Sequence, residues 1–168
     1  ALYGIQTLRA AENFPISGLR PLAAFVDAVI WIKRSAALTH KATGRLEARL
    51  ADAIVRAADE VLAGQHRDQF IVDVYQAGAG TSHNMNVNEV IAYRAHVLQG
   101  GKLSDEKKVL HPNDDVNKSQ SSNDTFPTAM HIATVEAIES QLIPAVRELR
   151  NTLDAKAEAY REVVMVGR

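Results

Sequence analysis

Over most of this chain apolar side chains recur every three or four residues, and that spacing commits it to helices rather than strands. Leu22, Phe25, Val29, Ile32 and Ala36 form one such series, which Gly44 breaks. Leu46, Leu50, Ile54, Ala57 and Val61 form a second, with Gly64 placed as a C-terminal cap. The longest series is Ile132, Val135, Ile138, Leu142, Val146, Leu149 and Leu153. It predicts helix from about Asn123 to Val164, with Pro127 in an early turn and Pro144 as a kink. A single helix cannot cover a stripe of that length, so partner helices are expected, from other subunits.

The remaining segments read differently. Residues 1–20 hold Gly4, Pro15 and Gly18, with Pro21 next, and predict an irregular arm. Phe70–Tyr75 is either a short strand or a buried extended segment, and a helix is expected over 83–98, ending at Gly100-Gly101. The Lys102–Lys108 run reads as a solvated loop. The fold class is therefore mainly α: an N-terminal helical domain over 1–115, then the start of a helical bundle over 116–168.

Composition removes several functions. Hydrophobic residues make up 46%, which suits a packed globule. Lys+Arg is 19 against Asp+Glu 20, with no basic block, so nucleic acid is not expected as a partner. No apolar run is long enough for a bilayer, no membrane partner is expected, and residues 1–6 do not read as a signal peptide. Cysteine is absent, which excludes disulfides and is compatible with the expected cytoplasmic location. His40, His66, His83, His96 and His131 have no partner at metal-ligand spacing, so no metal is expected. The chain lacks an initial Met and reads as a piece of something longer.

Two polar loops carry the chemistry. Gly78–Val90 and His111–His131 each run straight into helical sequence. Each therefore sets hydroxyl and amide groups beside a helix N-terminus, where free N–H groups attract anions. Thr81 and Ser82 stand where an ordinary cap belongs, and Gly78 and Gly80 suit either a ligand or a tight turn. Ser121, Ser122 and Asn123 exceed what one cap requires. Asn84, Asn86 and Asn88 form either a solvated face or buried amides holding loops in register, and His111 alone reads as a surface residue.

At these loops the chain resembles the fumarase/aspartase superfamily, in its class II fumarase and aspartate ammonia-lyase branch. The matching segments are Ala-Leu-Tyr-Gly-Ile-Gln-Thr-Leu-Arg at 1–9, Ala-Asp-Glu-Val-Leu at 58–62, Gly-Thr-Ser-His-Asn-Met-Asn-Val-Asn-Glu-Val at 80–90, and 111–131. The resemblance implies a homotetramer built around a helical bundle and a small dicarboxylate substrate, aspartate or fumarate, with no cofactor. It implies reversible elimination across the C2–C3 bond of a succinate derivative through an aci-carboxylate, stabilised by converging donors. The family's serine base and histidine motif fall outside these residues, so no catalytic residue is assigned within them and the 168 residues alone are expected to be inactive.

By motif position, Thr81, Ser121 and Ser122 are expected to bind the substrate carboxylate and Asn123 the leaving group. His111, Asn113 and Asp114 match a secondary carboxylate site of the fumarase branch. Asp73–Ser82 looks like the aspartase form, with Ala79 where fumarases carry a serine, whereas Ser121–Pro127 and His111 look like the fumarase form. The segment bordering the site favours aspartate ammonia-lyase, with class II fumarase as the alternative. A non-catalytic module that only assembles is the reading from a different class.

Overall fold

The computed structural model describes residues 1–167, and all of its regular structure is helical, with no strand among them. It divides into two compact units, Ala1–Ala133 and the stretch beginning at Thr134.

In the first unit α1 covers Ile5–Asn13, α2 Ala23–Ala42, α3 Ala48–Leu62 and α4 Thr81–Leu98. The helix α5, Ser122–Ala137, begins there. The hairpin of α2 and α3 packs as its periodicity requires, and α4 lies against α3, α1 and α2. Val29, Ile30, Ile54, Ala57, Val61, Val87, Val90 and Ile91 fill the core between them. Small residues on α3, namely Ala51, Ala53, Ala57 and Ala58, let its neighbours approach closely and are all buried. Gly64 closes α3 at φ +92°, the left-handed conformation expected of a C-terminal cap.

The arm over 1–20 is not wholly irregular, because it contains α1. No local side chain caps this helix. Its free N–H groups go instead to the buried Glu89 carboxylate, which accepts from Gly4 N–H at 2.8 Å, Gln6 N–H at 3.0 Å and Thr7 N–H at 3.1 Å. The Thr7 hydroxyl adds a bond at 2.5 Å. A carboxylate at a helix N-terminus also meets the positive end of its dipole.

Phe70–Tyr75 forms no strand; it is irregular, bending at Val74 and Tyr75. Side chains hold it: Asn86 accepts from Ile71 N–H at 3.0 Å and donates to the Gln69 carbonyl at 3.0 Å. Asp73 in turn receives the Ser17 N–H and hydroxyl, Gly18 N–H and Tyr75 N–H, each at 2.8 Å. Burial pushes the Asp73 carboxyl up, but these bonds outweigh it and bring the group down to about 2. A depressed carboxylate contributes stability above its unfolded value and loses it as pH falls through the folded one. Acid unfolding is therefore expected to steepen between about pH 4 and about pH 2. In circular-dichroism titrations, Asp73→Asn should melt earlier at neutral pH and lose that part of the acid dependence.

The loop 101–110 has an internal anchor. Buried His96 accepts from Val109 N–H at Nδ1 (3.1 Å), and its Nε2 faces the Lys102 carbonyl at 3.1 Å and the Asp105 carboxylate at 3.0 Å. Lys108 donates to the Leu103 carbonyl at 2.8 Å, so the basic run is only partly solvated.

In the second unit helix continues to Leu142 as a π-turn, Ile138–Leu142, and then as α6, Ile143–Ala159. Pro144 has no N–H for the carbonyl four residues back, and the wider turn before it absorbs the misfit. Helix ends at Ala159, short of the expected Val164. Val135, Ile138, Leu142, Val146, Leu149 and Leu153 are all exposed within this unit. Among the described residues no helix is long and apolar enough to cross a membrane.

Candidate functional site

The first polar loop turns sharply. Ala79 and Gly80 both adopt left-handed backbone, at φ +57° and φ +68°. For Ala79 that conformation costs on the order of 1 kcal/mol, which the surrounding structure must hold. Gly80 is the N-cap of α4, and Thr81 is its first helical residue, so the helix starts two residues before the expected 83. No side chain at Gly80 can cap it. The cap comes from Gln76, whose Oε1 accepts the His83 N–H at 2.7 Å while its Nε2 donates to the Asp73 carbonyl at 3.2 Å. Thr81 and Ser82 are thus spared the structural duty that their position suggested.

The second loop divides its labour. Ser121 Oγ accepts the Asn123 N–H at 3.2 Å, and its carbonyl accepts the Thr125 N–H at 2.9 Å and the Thr125 hydroxyl at 3.1 Å. Ser121 therefore caps α5, and its own hydroxyl proton remains free to donate. Asn123 is exposed, and its side chain makes no hydrogen bond among the described residues.

The two loops meet. Thr81 Oγ1 and Ser122 Oγ lie 3.2 Å apart, bridging 41 residues of sequence. Beneath them three rings pack together: Phe25 lies 5.0 Å from His83 and 4.9 Å, edge-on, from Phe126. A Cβ on Gly80 would fall 1.8 Å from the Phe126 ring, so glycine is what lets the loops close. Thr81 and Ser82 also line an open groove of about 610 Å3 that continues along α1 past Gln6, Arg9 and Asn13.

His83 is fully buried, and neither of its ring nitrogens has a hydrogen-bond partner among the described residues. Burial, and then the charge of Lys33, bring it down to about 4, so it is neutral at pH 7. Asn84, Asn86 and Asn88 are buried amides and not a solvated face. Asn84 and Asn86 hold loops, whereas Asn88 makes no side-chain hydrogen bond among the described residues.

His111, Asn113 and Asp114 stand at the start of the second loop, His111 as the N-cap of a π-turn over Pro112–Val116 and the other two within it, and all three are exposed. His111 Nδ1 accepts the Asp114 N–H at 3.1 Å and lies 3.2 Å from the Asp114 carboxylate. These two contacts exclude one another, because Nδ1 cannot accept one proton while carrying another; the backbone bond belongs to the neutral ring. No hydrogen bond or ion pair among the described residues joins this turn to Thr81 or Ser122.

Sequence reasoning passed over Gln76, Phe126 and Lys33. Gln76 lies inside the aspartase-like stretch but carries no capping signature, and Phe126 looks like any apolar helix residue. Lys33, among apolar neighbours of α2, carries no signal that its ammonium turns inward.

Chemically, the meeting point offers the Thr81 and Ser122 hydroxyls, the free Asn123 amide and the start of two helices. That set suits an anion with planar oxygens, such as a carboxylate. Among the described residues no cluster of three His, Cys, Asp or Glu is placed to hold a metal ion.

A family model described as lyase matches residues 1–168. The class II fumarate hydratase of Nitrosomonas europaea is 52% identical over 168 residues, covering 100% of this chain and 36% of that protein. That of Bacillus subtilis is 52% identical over 166 residues, covering 99% of this chain and 36% of that protein. Among solved structures, fumarate lyase:delta crystallin from Brucella melitensis superposes with a TM-score of 0.95 at 42% identity, over 100% of this chain and 39% of that one. The class II fumarase of Schistosoma mansoni does so with a TM-score of 0.94 at 38% identity, over 99% of this chain and 35% of that one. The chain thus spans little more than a third of the length of the curated relatives it matches. Its motifs, its helical fold and its match along every residue place the chain in the lyase family, within the N-terminal region of the fumarase/aspartase superfamily.

Proposed function

We propose that this chain forms part of a class II fumarate hydratase, interconverting malate and fumarate by loss and gain of water, and that Thr81, Ser121, Ser122 and Asn123 contribute to its substrate site. The observation that carries this reading is the 3.2 Å approach of Thr81 to Ser122, which converges two helix N-termini and two hydroxyls on one point. Relatives at about half identity that bear the name fumarate hydratase support water as the leaving group. During elimination the carboxylate next to the departing C3 proton gains a second negative charge. Donors already fixed by the fold stabilise that charge without reorganising. Thr81 and Ser122 donate to the carboxylate, Ser121 adds its hydroxyl proton from the cap, and Asn123 faces the hydroxyl that leaves. His111, Asn113 and Asp114 form a separate and secondary carboxylate site.

The reaction is completed by groups that this chain does not supply, from other segments and other copies in a homotetramer. The exposed stripe from Val135 to Leu153 supports such assembly, since its apolar side chains gain by leaving water.

Aspartate ammonia-lyase is the second reading, favoured by Ala79, which offers no hydroxyl beside Gly80. The full-length protein that carries this chain should generate fumarate absorbance from L-malate and none from L-aspartate in parallel assays. Turnover of aspartate alone would replace the hydratase reading with the ammonia-lyase one, and turnover of neither would favour a non-catalytic assembly module.

A further inference from the structure

Lys33 lies in the middle of α2 with no exposed surface. A buried ammonium ordinarily needs a carboxylate partner. Among the described residues none lies within ion-pairing distance of Lys33. Its three protons instead meet three neutral amide oxygens: Asn84 Oδ1 at 2.7 Å, Asn117 Oδ1 at 2.8 Å and Gln120 Oε1 at 3.0 Å. Because each oxygen must face the cation, each NH2 group is aimed elsewhere. Asn84 donates to Asn117 Oδ1 at 3.0 Å, Asn117 to the Gln120 carbonyl at 3.1 Å, and Gln120 to the Val116 carbonyl at 3.0 Å.

This hub reaches both candidate loops. Asn84 stands one helical turn after Thr81, and Gln120 immediately precedes Ser121. The groups facing Lys33 from α4 are Asn84 and, electrostatically, the neutral His83. Those from the second loop are the amides of Asn117 and Gln120. Among the described residues, the helix α3 pairs charges with α2 through the part-exposed Arg34–Asp59 and Lys41–Asp52. Farther along α2, His40 Nε2 meets the Lys118 carbonyl at 2.9 Å, and no carboxylate pairs with it among the described residues. Among the described residues, therefore, no carboxylate meets the Lys33 charge at ion-pairing distance.

Resting on the dicarboxylate reading above, we propose that Lys33 is a positioning residue of the site: through Asn84, Asn117 and Gln120 it sets the loops bearing Thr81, Ser121 and Ser122, and a bound dicarboxylate dianion supplies the negative charge it lacks. Burial brings Lys33 down to about 7, so in slightly alkaline solution much of it is uncharged. An anion nearby favours the charged form. Dianion binding then draws one proton from solvent onto Nζ, and affinity falls as pH rises above neutral.

The test titrates succinate, a dicarboxylate that cannot undergo the elimination, into the full-length protein by calorimetry. Titrations at about pH 8 in buffers of different ionisation heat read the protons taken up. Wild type should take up a substantial fraction of a proton. Lys33→Met should lose that uptake and bind roughly tenfold or more weakly. Its melting temperature should fall, because Asn84 Oδ1 and Gln120 Oε1 lose the donor they face, so binding is read well below the variant's melting range. If Lys33→Met does not fold, Lys33→Gln and the wild-type measurement decide. Binding by wild type without proton uptake, or uptake that persists undiminished in the variant, overturns the role of Lys33 and leaves the dicarboxylate reading intact. Failure of wild type to bind succinate overturns that reading and this inference with it.

Discussion

Ser122→Ala and Asn123→Ala in the full-length protein should each depress malate turnover by roughly 100- to 1,000-fold while barely changing the melting temperature. The structural work at this helix start is done by Ser121, whose oxygens hold the Asn123 and Thr125 donors. Ser122 meets only the Thr81 hydroxyl, and the Asn123 side chain meets nothing among the described residues. Removing one donor that acts on a developing oxyanion typically costs about 3–4 kcal/mol of barrier. Losing a helix cap costs about 1 kcal/mol of folding stability. Ser121→Ala is the internal contrast, since it should lower the melting temperature as well as the rate. Steady-state rates per folded molecule, with melting curves on the same samples, separate these effects. If Ser122→Ala or Asn123→Ala melts much earlier yet retains near-normal turnover, these residues serve the fold and the substrate site lies elsewhere.

The parts of the molecule that could be read in advance are those whose partners lie nearby in sequence. The helices α2 and α3 bury Val29, Ile54, Ala57 and Val61 against each other across a short connection, so their periodicity was sufficient. The helix α1 was missed because its cap is Glu89, more than 80 residues away. The asparagines of α4 were ambiguous for the same reason: an amide that binds a distant loop and one that binds water look alike in sequence. For the site, the surplus of hydroxyl groups at 121–123 was legible, as was the likeness of both loops to a known family. The convergence of Thr81 and Ser122 was not, because it depends on how Phe25, His83 and Phe126 pack beneath the loops. The choice of leaving group was equally out of reach of local pattern. Ala79 pointed to ammonia, whereas the hydratases that match over the whole chain support water.

The packing beneath the loops leads to the sharpest prediction for the fold. Gly80→Ala should destabilise the protein by about 2–4 kcal/mol, made up of about 1 kcal/mol for alanine in left-handed backbone and about 1–3 kcal/mol for overpacking. The overpacking follows from a Cβ placed 1.8 Å from the Phe126 ring, which is itself wedged edge-on against Phe25 and cannot simply swing aside. Whatever relief the loop finds must separate Gly80 from Phe126 and hence Thr81 from Ser122. A displacement of about 1 Å in a positioning contact can cost on the order of 100-fold in rate. Gly80→Ala should therefore lose activity beyond what its melting curve explains, even at temperatures where it is fully folded. Gly78→Ala is the control: its Cβ would meet nothing within 4 Å and its backbone is not left-handed, so both stability and rate should stay near wild type. A Phe126→Ala, Gly80→Ala double variant should regain part of the rate relative to Gly80→Ala alone, because the obstruction has gone. If Gly80→Ala instead folds and turns over as well as Gly78→Ala does, then the closure of the two loops over Phe126 is not what aligns Thr81 with Ser122.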